Sequence, residues 1–497
     1  MNTAAINGLP LHLHLGSYWV ARWALEKSIA ALFLIAFLNA VNQFKPLLGE
    51  HGLMPVPLFI REVPFRASPS LFFFFPTDKA FTLCAWLGAA LSGVILSGIV
   101  DPHTWALLAI WAAIWVLYLS SVNVGQIFYG FGWESILLEA GVYATFLSGS
   151  GTTPQFAVML MFRWLCFRVM FGAGLIKLRG DSCWRDLTCL DYHYETQPMP
   201  NRLSWYFHHG PSWSRNAGVL FNHVVELVVP FGYFLPQPFA AVAGAVTIVF
   251  QLLIFSSGNL SWLNVLTLSL AFSCFDDRTV AWLLPVHLPA LHPLDIVFRL
   301  LTAALALLVI ALSVKPIRNL LSPLQVMNTV YNRFHFVGTY GAFGGITRHR
   351  YEIVVEGTEE TVITESTKWR EYEFKGKPGD PSRMPPQIAP YHLRLDWLMW
   401  FAAMGSYQRH PWFIHLVAKL LQGDRPVLSL LKTNPFTGEP PRFVRALLYE
   451  YRFSSAEMKK KGLWWVREPK GMYFPTVSLR SPALRMLLQQ MRWMESE

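Results

Sequence analysis

Residues 227–275 read LVVPFGYFLPQPFAAVAGAVTIVFQLLIFSSGNLSWLNVLTLSLAFSCF and contain no Asp, Glu, Lys or Arg. A helix needs about 20 apolar residues to cross a bilayer core about 30 Å thick, so this stretch is too long for one crossing. Proline and small polar residues interrupt it near residues 236–238 and again near residues 256–259. The stretch therefore predicts several consecutive membrane spans.

Comparable apolar stretches occur throughout the first 320 residues. We predict nine spans, at about 22–43, 80–100, 104–122, 128–148, 156–177, 217–235, 239–256, 260–275 and 296–314. The first and fourth spans carry charges and the eighth is short, so totals of eight and ten remain alternatives. Residues 1–16 contain no basic residue and the first long apolar run begins near Ile29, which favours a retained first helix over a cleaved signal peptide.

The composition agrees with a membrane protein that carries a soluble tail. Of the 497 residues, 53% are hydrophobic and 14% are charged, whereas soluble proteins contain about 25% charged residues. Residues 1–320 hold 17 Lys and Arg against 15 Asp and Glu, and residues 321–497 hold 24 against 16. This distribution excludes a single soluble globular domain, a disordered chain and a collagen-like rod. We predict a polytopic α-helical membrane bundle over 1–320, followed by a mixed α/β, strand-containing soluble domain over 321–497.

The tail contains short segments of regular pattern. Polar and apolar residues alternate at 351–356 and 369–375, which predicts strands. Turns are expected at 357–358 and 377–380, where glycine and proline occur. The remaining segments are 393–403 and 412–421, both helical in pattern, 442–451, which suits a helix or a strand, and 453–474, which has few periodic clues.

Several charged residues fall inside the predicted spans, where each costs at least about 2.5–3.5 kcal/mol at the centre of a helix. They are Glu134, Glu139, Arg163, Arg168, Lys177, His223 and Glu226. They either pair across helices and fix the packing of the bundle, or line a polar cavity for a substrate headgroup or a proton; we favour pairing. Glu134 and Glu139 lie about 140° apart around a helix, so we expect them to have different neighbours.

The extramembrane loop at 178–215 has the densest polar chemistry. Its candidate residues are Asp181, Cys183, Trp184, Arg185, Asp186, Cys189, Asp191, His193 and Glu195. The spacing of the two cysteines matches neither a zinc knuckle nor a thioredoxin motif; they form a disulfide in an oxidising compartment and stay thiols in the cytosol. On an extended strand Asp191, His193 and Glu195 would share a face and could hold a divalent metal, but we favour a hydrogen-bonded loop and expect neither metal nor cofactor.

The distribution of basic residues gives one indication of orientation. With nine spans, the loops at 44–79 and 178–215 lie on the same side as the tail, and both contain several Lys and Arg. The opposite loops, near 101–103, 149–155 and 236–238, contain none. The positive-inside rule would therefore place the tail in the cytoplasm.

Eleven longer blocks carry a resemblance to a known family. They are GDSCWRDLTC (180–189), YHYETQPMPN (192–201), WESILLEAG (133–141), FGAGLIKL (171–178), NRFH (332–335), YGAFG (340–344), RYEI (350–353), EGT (356–358), WREYEF (369–374), KPGD (377–380) and PYHLRLDW (390–397). These blocks closely resemble the lipase maturation factor family, and they span most of the chain from about residue 125 to residue 400.

The resemblance implies a polytopic, chaperone-like protein that helps secreted lipases to fold and assemble in the endoplasmic reticulum. It implies a cytosolic N-terminus and a lumenal tail, against the positive-inside rule, and we follow the family because only two loops support the rule. A lumenal loop would let Cys183 and Cys189 oxidise. The expected partners are the lipid bilayer and a lipase-like secreted client, and no nucleic acid. A bacterial member in the cytoplasmic membrane, whose client need not be a lipase, also fits.

The resemblance further implies that the C-terminal domain contacts the client. The matched blocks of the tail supply the candidates for this contact: Arg350, Trp369, Tyr391, His392, Arg394, Asp396 and Trp397. The aromatic residues of the tail suit either a domain core or a binding face, and we favour a core.

An integral-membrane enzyme is the alternative. The bundle loosely resembles the horizontal transmembrane fold of the vitamin K-dependent carboxylases, although no catalytic motif matches residue by residue. On this hypothesis six of the intramembrane residues, Glu134, Arg163, Arg168, Lys177, His223 and Glu226, would line a cavity for a lipid or quinone-like substrate. We favour the non-enzymatic maturation factor and assign no catalytic residue.

Overall fold

The computed structural model describes residues 17–285 and 288–490. Among the described residues up to Leu321, the regular elements are helices. In chain order the helices are α1 (Trp19–Leu48), α2 (Val56–Glu62), α3 (Asp78–Ser97), α4 (Thr104–Val124), α5 (Gly132–Ala144), α6 (Phe156–Arg179), α7 (Ser182–Arg185), α8 (Leu190–Thr196), α9 (Arg202–His208), α10 (Ser212–Leu227), α11 (Val229–Gly232), α12 (Phe239–Ser257), α13 (Leu263–Ala271), α14 (Asp277–Leu283), α15 (Ile296–Leu312) and α16 (Val314–Leu321).

Within the described residues, six helical segments are long and apolar enough to cross a membrane. They are α1, α3, α4, α6, α12 and the consecutive pair α15 and α16. The other three predicted spans hold shorter helices: α5 has 13 residues, α10 has 16 and α13 has 9. The total of nine spans is therefore not confirmed. In one of the three the cause is local, because α10 ends shortly before Pro230, which lacks a backbone N–H to donate.

Close packing of aromatic side chains holds the first helices together. The rings of Phe33 and Phe37 on α1 both meet the ring of Tyr118 on α4 edge-on, with centroids 5.5 Å apart. Gly88 on α3 lets α1 approach closely, because a Cβ at this position would lie 2.3 Å from the ring of Phe37. The spacing of four positions from Phe33 to Phe37 places both rings on one face of α1.

The bundle has two ends, each defined by contacts between distant segments. At the first, here called the Asp277 end, the backbone N–H of Trp19 donates to the Asp277 carboxylate (2.9 Å) and the Trp19 indole donates to Ser150 O (2.7 Å). At the second, the tail end, Gln43 near the end of α1 donates to His392 O (2.7 Å), and His415 Nδ1 donates to Leu53 O (2.5 Å). The loop that follows α1 and the C-terminal tail thus lie at the same end.

The tail is built around antiparallel strands. Its elements are β1 (Arg350–Thr358), β2 (Arg370–Glu371), β3 (Glu373–Phe374), α17 (Arg394–Ala403), α18 (Pro411–Leu421), α19 (Arg425–Leu428), β4 (Leu431–Thr433), β5 (Phe443–Phe453), α20 (Ala456–Lys460), β6 (Trp465–Val477) and α21 (Pro482–Gln490). A four-stranded sheet has the order β2-β1-β5-β6, and β3 pairs with β4 separately. In the larger sheet Ile353 lies opposite Leu448, which lies opposite Gly471.

The predicted helices of the tail and the strand at 351–356 are present. The strand predicted at 369–375 is divided between β2 and β3, which belong to different sheets. Three further segments differ from the prediction or were left open by it. The turn predicted at 357–358 is wrong, because both residues continue β1 opposite Val444 and Phe443. Gly357 is needed there for space, since a Cβ would lie 2.8 Å from the ring of Phe436. The ambiguous segment 442–451 is a strand, and the unassigned segment 453–474 contains most of β6.

The segment between the last bundle helix and β1 lies against the bundle. Gln325 donates to Gly172 O of α6 (3.0 Å), and Arg168 donates to Gly338 O (2.7 Å). Gly172 permits this contact, because a Cβ there would lie 2.3 Å from Tyr340 O. These contacts join the tail to the bundle by backbone as well as by side chains.

Candidate functional site

Two fully buried carboxylates project from the short helix α5 toward different partners. Glu139 is paired with Arg168 of α6 and accepts hydrogen bonds from the hydroxyls of Tyr143 (2.5 Å) and Tyr340 (2.7 Å). Glu134 accepts hydrogen bonds from Arg394 Nη1 (2.7 Å) and from the hydroxyl of Tyr118. The two carboxylates have separate partners and do not form a dyad.

Arg394 of the tail reaches into the bundle. Besides Glu134, its guanidinium donates to Asn39 Oδ1 of α1 (2.9 Å) and to Phe128 O (2.7 Å), and it stacks over the ring of Tyr129. Every hydrogen bond in this set joins the tail to a different part of the helical region. Arg394 is therefore a structural link between the two regions.

Most of the residues predicted to contact a client are not at the surface. Arg350, His392, Arg394, Asp396 and Trp397 are all buried, whereas Trp369 and Tyr391 are partly exposed. The Asp396 carboxylate, for example, accepts the backbone N–H groups of Gly376 (2.6 Å) and Lys377 (3.0 Å). In this structure the five buried side chains hold the tail together or attach it to the bundle.

The 178–215 loop and the tail are joined by several hydrogen bonds. Arg350 of β1 donates to Glu195 O (3.0 Å) and Pro198 O (2.9 Å) of the loop. In return, the Glu195 carboxylate accepts the backbone N–H of Phe453 (2.6 Å). The indole of Trp205 donates to Ser454 O (2.9 Å). Loop and tail therefore lie together at the tail end. We call their combined exposed face the loop–tail surface.

The loop itself is held by a disulfide and by ion pairs. The sulfur atoms of Cys183 and Cys189 are bonded, and the Cα atoms of the two residues are 4.7 Å apart. Asp181 caps α7 by accepting the N–H of Cys183 (3.1 Å) and pairs with Arg348 (2.7 Å). The indole of Trp184 donates to Phe343 O (2.9 Å), while the side chains of Arg185 and Asp186 lie at the surface.

The extended strand that would align three metal ligands is not present. Residues 190–196 form helix α8, in which alternate side chains diverge instead of sharing a face. Asp191 pairs with Arg215 (2.5 Å), Glu195 binds the tail, and His193 is buried. Among the described residues no group of three or more His, Cys, Asp or Glu side chains could hold a metal ion.

Two other intramembrane candidates, Arg163 and His223, are hydrogen-bonded within the protein. Arg163 donates to Ser273 O (2.9 Å), Tyr233 O (3.0 Å) and the hydroxyl of Tyr18 (3.1 Å). His223 donates from Nε2 to Trp184 O (2.9 Å). Arg163 thus connects α6 to three other segments of the bundle, and His223 connects α10 to the loop.

The remaining pair borders an open space. Lys177 at the end of α6 contacts both carboxylate oxygens of Glu226 on α10 (2.6 and 2.8 Å) and Asn222 Oδ1 (2.8 Å). Beside it lies a cavity of about 560 Å³ between α6, α10, α12 and α13. Of the seven intramembrane candidates only Lys177 and Glu226 line this cavity, so the structure does not collect the others into one substrate site.

One part of the cavity lies beside charged and polar side chains. His193 and Tyr194 of α8, together with Arg215 of α10, line it near Lys177. Burial, together with the nearby Lys177 ammonium, lowers the pKa of His193 to about 4, so its imidazole is neutral at neutral pH. Apolar side chains from the bundle line most of the remainder, among them Val169, Met170, Ala173, Phe250, Ile254 and Leu263.

Several residues that matter in the structure were missed by sequence reasoning. Arg22 and Glu26 form a buried ion pair on α1 (3.2 Å), and their spacing of four residues inside a predicted span was a usable signal. Asn259 accepts the backbone N–H groups of Ile388 (2.6 Å) and Ala389 (2.8 Å). No local signal reveals that contact, because its partners lie about 130 residues away in the sequence.

Comparison with known proteins accounts for both regions of the chain. Residues 20–282 match the family described as "Lipase maturation factor transmembrane domain", and residues 336–475 match "Lipase maturation factor C-terminal domain". The chain is 44% identical to "Lipase maturation factor 1" of Homo sapiens, over 95% of this chain and 90% of that protein.

The chain belongs to the lipase maturation factor family. It is also 42% identical to "Lipase maturation factor 1" of Mus musculus, over 95% of this chain and 89% of that protein. Its identity to "Lipase maturation factor 2" of Homo sapiens is 29%, over 93% of this chain and 83% of that protein. No solved structure matches the chain. Membership of this family, together with six apolar helices in the described residues, makes this member an integral membrane protein.

Proposed function

We propose that this protein is a membrane-embedded maturation factor that assists the folding and assembly of secreted client proteins such as lipases. The names of its relatives support the role, since each is called a lipase maturation factor. The observation that carries the proposal for this chain is the loop–tail surface. It joins the 178–215 loop to the tail through Arg350, Glu195 and Trp205, so that loop and tail lie together at one end of the bundle.

The shorter helices are proposed to cross the membrane with the six longer ones, giving nine crossings. α5 begins beside Arg394 at the tail end and leads to Ser148, whose carbonyl oxygen accepts Arg22 Nη1 near the start of α1 (2.8 Å). α13 leads from the tail end to Asp277. Nine crossings agree with this alternation and put the start of α1 and the tail on opposite sides.

The proposed setting is the endoplasmic reticulum membrane, with the loop–tail surface in the lumen, where secreted clients fold. The disulfide between Cys183 and Cys189 suits such an oxidising compartment. We propose the functional division at residues 320 and 321, since the last bundle helix ends at Leu321 and the first strand begins at Arg350. The segment between them acts as a strap along the bundle.

The proposed client contact lies on exposed methionines of the tail instead of on its buried charged residues. Met404 follows α17 and is 45% exposed, and Met472 of β6 is 58% exposed. The hydroxyl of Tyr473, the residue after Met472, donates to Ala402 O (3.0 Å), two residues before Met404, so the two methionines lie on neighbouring segments of the tail. Methionine side chains are flexible and polarizable, which suits a surface that must fit partly folded clients.

A secretion assay tests this proposal. Cells that lack their own maturation factor receive this chain together with a secreted lipase, and active lipase is measured in the medium. We expect the full chain to restore active lipase. We expect the double variant Met404→Glu and Met472→Glu to fail to restore it and to lose co-isolation with the lipase, because two carboxylates replace the apolar contact.

A matched variant distinguishes the loss of client contact from the loss of folding of the chain. Met486→Glu changes another exposed methionine of the tail, on α21, and should leave secretion unchanged at equal protein level. A lipase that matures equally well without the chain would contradict the proposed function. Equal secretion with the double variant would contradict the assigned contact surface only.

A further inference from the structure

The cavity between α6, α10, α12 and α13 has the dimensions of a ligand site. Its volume of about 560 Å³ lies within the range of about 300–1,000 Å³ that small-molecule pockets occupy. It reaches the surface at Leu253 on α12, which is 47% exposed, and at Phe401 on α17, which is 40% exposed. A ligand could therefore enter from the side of the bundle.

The distribution of lining residues is that of an amphipathic molecule. Inside the bundle most of the lining side chains are apolar, such as Met170, Phe250 and Ile254. Gln251 and Asn264 also line it and are hydrogen-bonded to each other (2.8 Å). The polar end lies beside the loop, at Lys177 and His193. An apolar chain would fill the first part and a polar head would occupy the second.

The charged residues at the polar end are already neutralised by the protein. Both oxygens of Glu226 contact Lys177, and Arg215 is paired with Asp191. The buried imidazole of His193 is uncharged at neutral pH. This end therefore offers no free cation to an anionic head and no free carboxylate to a cationic one.

Two uncharged polar groups at this end are free to form hydrogen bonds with a ligand. Within the described residues the imidazole of His193 and the hydroxyl of Tyr194 have no hydrogen-bond partner, and both side chains line the cavity. Each group can both donate and accept a hydrogen bond. Hydroxyl and ester carbonyl groups are the complementary chemistry.

We propose that the cavity binds an uncharged, single-chain amphipathic lipid of the monoacylglycerol type. Its acyl chain lies among α6, α10, α12 and α13, and its hydroxyl-bearing head binds His193 and Tyr194. The volume, in the lower half of the usual range, favours one chain over two. This site is distinct from the exposed methionines proposed to contact the client, so either proposal can fail alone.

Photolabelling of the full chain in lipid nanodiscs tests the proposal. The probe is a monoacylglycerol that carries a diazirine in its acyl chain and an alkyne for detection, and monoolein is the competitor. We expect saturable labelling, mapped by peptide analysis to α12 and the helices facing it, that monoolein abolishes. Unsaturable labelling, or labelling spread over the lipid-facing helices, would overturn the proposal.

Two substitutions on one helix provide a matched comparison. Ile254 lines the cavity and Val249, one and a half turns earlier on α12, does not. Ile254→Trp fills the cavity and should weaken monoolein competition by about tenfold, whereas Val249→Trp should leave it unchanged. Equal labelling of the two variants would contradict the site, and melting curves in the same nanodiscs verify that both fold.

The nature of the head is tested by further competitors and by a polar variant. Oleate carries a negative charge and lysophosphatidylcholine carries both charges, so each should compete much less well than monoolein. The double variant His193→Leu and Tyr194→Phe should weaken monoolein by about tenfold by removing two hydrogen bonds. Competition by oleate equal to that of monoolein, or full affinity in this variant, would overturn the assignment of an uncharged head.

Discussion

Two buried ion pairs, Glu134 with Arg394 and Lys177 with Glu226, differ in their surroundings. The first is fully enclosed, and its guanidinium also binds Asn39 and Phe128 O. The second lies against the 560 Å³ cavity. The difference teaches that an intramembrane charge marks a function only where space for a ligand adjoins it. Elsewhere, as at Glu134, it holds parts of the chain together.

The largest loss of stability is expected when the enclosed pair is broken. Arg394→Met leaves Glu134 as a buried, unpaired carboxylate, which costs about 3–5 kcal/mol of stability. We expect the variant to accumulate poorly or to melt far below the unchanged protein. Thermal unfolding in detergent, followed by tryptophan fluorescence, measures this.

The control and the test of pairing use two further variants. Arg409→Met removes an exposed arginine of the tail and should have little effect. Adding Glu134→Met to Arg394→Met removes the unpaired charge and should recover part of the lost stability. If Arg394→Met loses no more stability than Arg409→Met, the proposed difference between the enclosed pair and the cavity pair does not hold.

A medium effect is expected for the disulfide beside the cavity. Replacing Cys183 and Cys189 together by serine releases a constraint across six residues of sequence, which the loop-closure model sets at about 2 kcal/mol. Since α8 follows directly after Cys189, monoolein protection of the cavity should weaken, while the Arg394 contacts persist. The same melting assay, with and without monoolein, measures both, and an unchanged ligand response would show that the disulfide does not support the cavity.

A smaller effect is expected for the pair at the cavity. In Lys177→Met, the Glu226 carboxylate keeps its hydrogen bond from Asn222 (3.0 Å), and water can enter from the cavity. We expect a loss of about 1 kcal/mol, clearly less than for Arg394→Met. If the two variants prove equally destabilised, the distinction between an enclosed pair and a cavity pair does not hold.

The smallest effect concerns a charge cluster outside the membrane. A hydrogen bond from Lys470, assisted by others from His349 and Arg452, lowers the pKa of Glu450 to about 2. Since the folded-state pKa lies below the ordinary value of about 4.5, the stabilisation is present above pH 4.5 and is lost between about pH 4.5 and pH 2. For such a surface cluster we expect less than about 1 kcal/mol.

The matched variant for this titration is Glu450→Gln. It should melt at a slightly lower temperature at pH 7 and should lack the part of the acid-dependent decrease that belongs to this carboxylate. Melting temperatures between pH 7 and pH 3 provide the comparison. Parallel curves for the two proteins would contradict the assignment of a lowered pKa to Glu450.

Local patterns were sufficient to predict much of the secondary structure. An uncharged run such as 239–256 can only be stable in a membrane, and it forms α12. The alternation at 351–356 and the apolar periodicity at 412–421 likewise mark β1 and α18. In each case the burial of one segment is determined by residues within that segment.

The partners of the polar residues could not be predicted in this way. Glu134 and Arg394 are 260 residues apart, and nothing near either residue indicates the other. The sequence pattern does not predict β6, because only the ends of this strand are buried and its middle residues lack a regular alternation. The cavity depends on the relative positions of four helices, which single-sequence periodicity does not contain. Arg394 is therefore a candidate for client contact on sequence grounds, whereas in the structure its side chain is buried.

The side of the membrane on which the loop–tail surface lies is the most direct test of the account. Single cysteines at Ser182 in the loop, at Glu457 in the tail and at His103 at the Asp277 end are all exposed, and Cys84 is replaced by serine in each variant. A membrane-impermeant maleimide is applied to sealed endoplasmic reticulum vesicles, before and after permeabilisation. We predict that Ser182→Cys and Glu457→Cys react only after permeabilisation, whereas His103→Cys reacts at once. Immediate labelling of the loop and the tail would place this surface in the cytosol and contradict a role in maturing secreted clients.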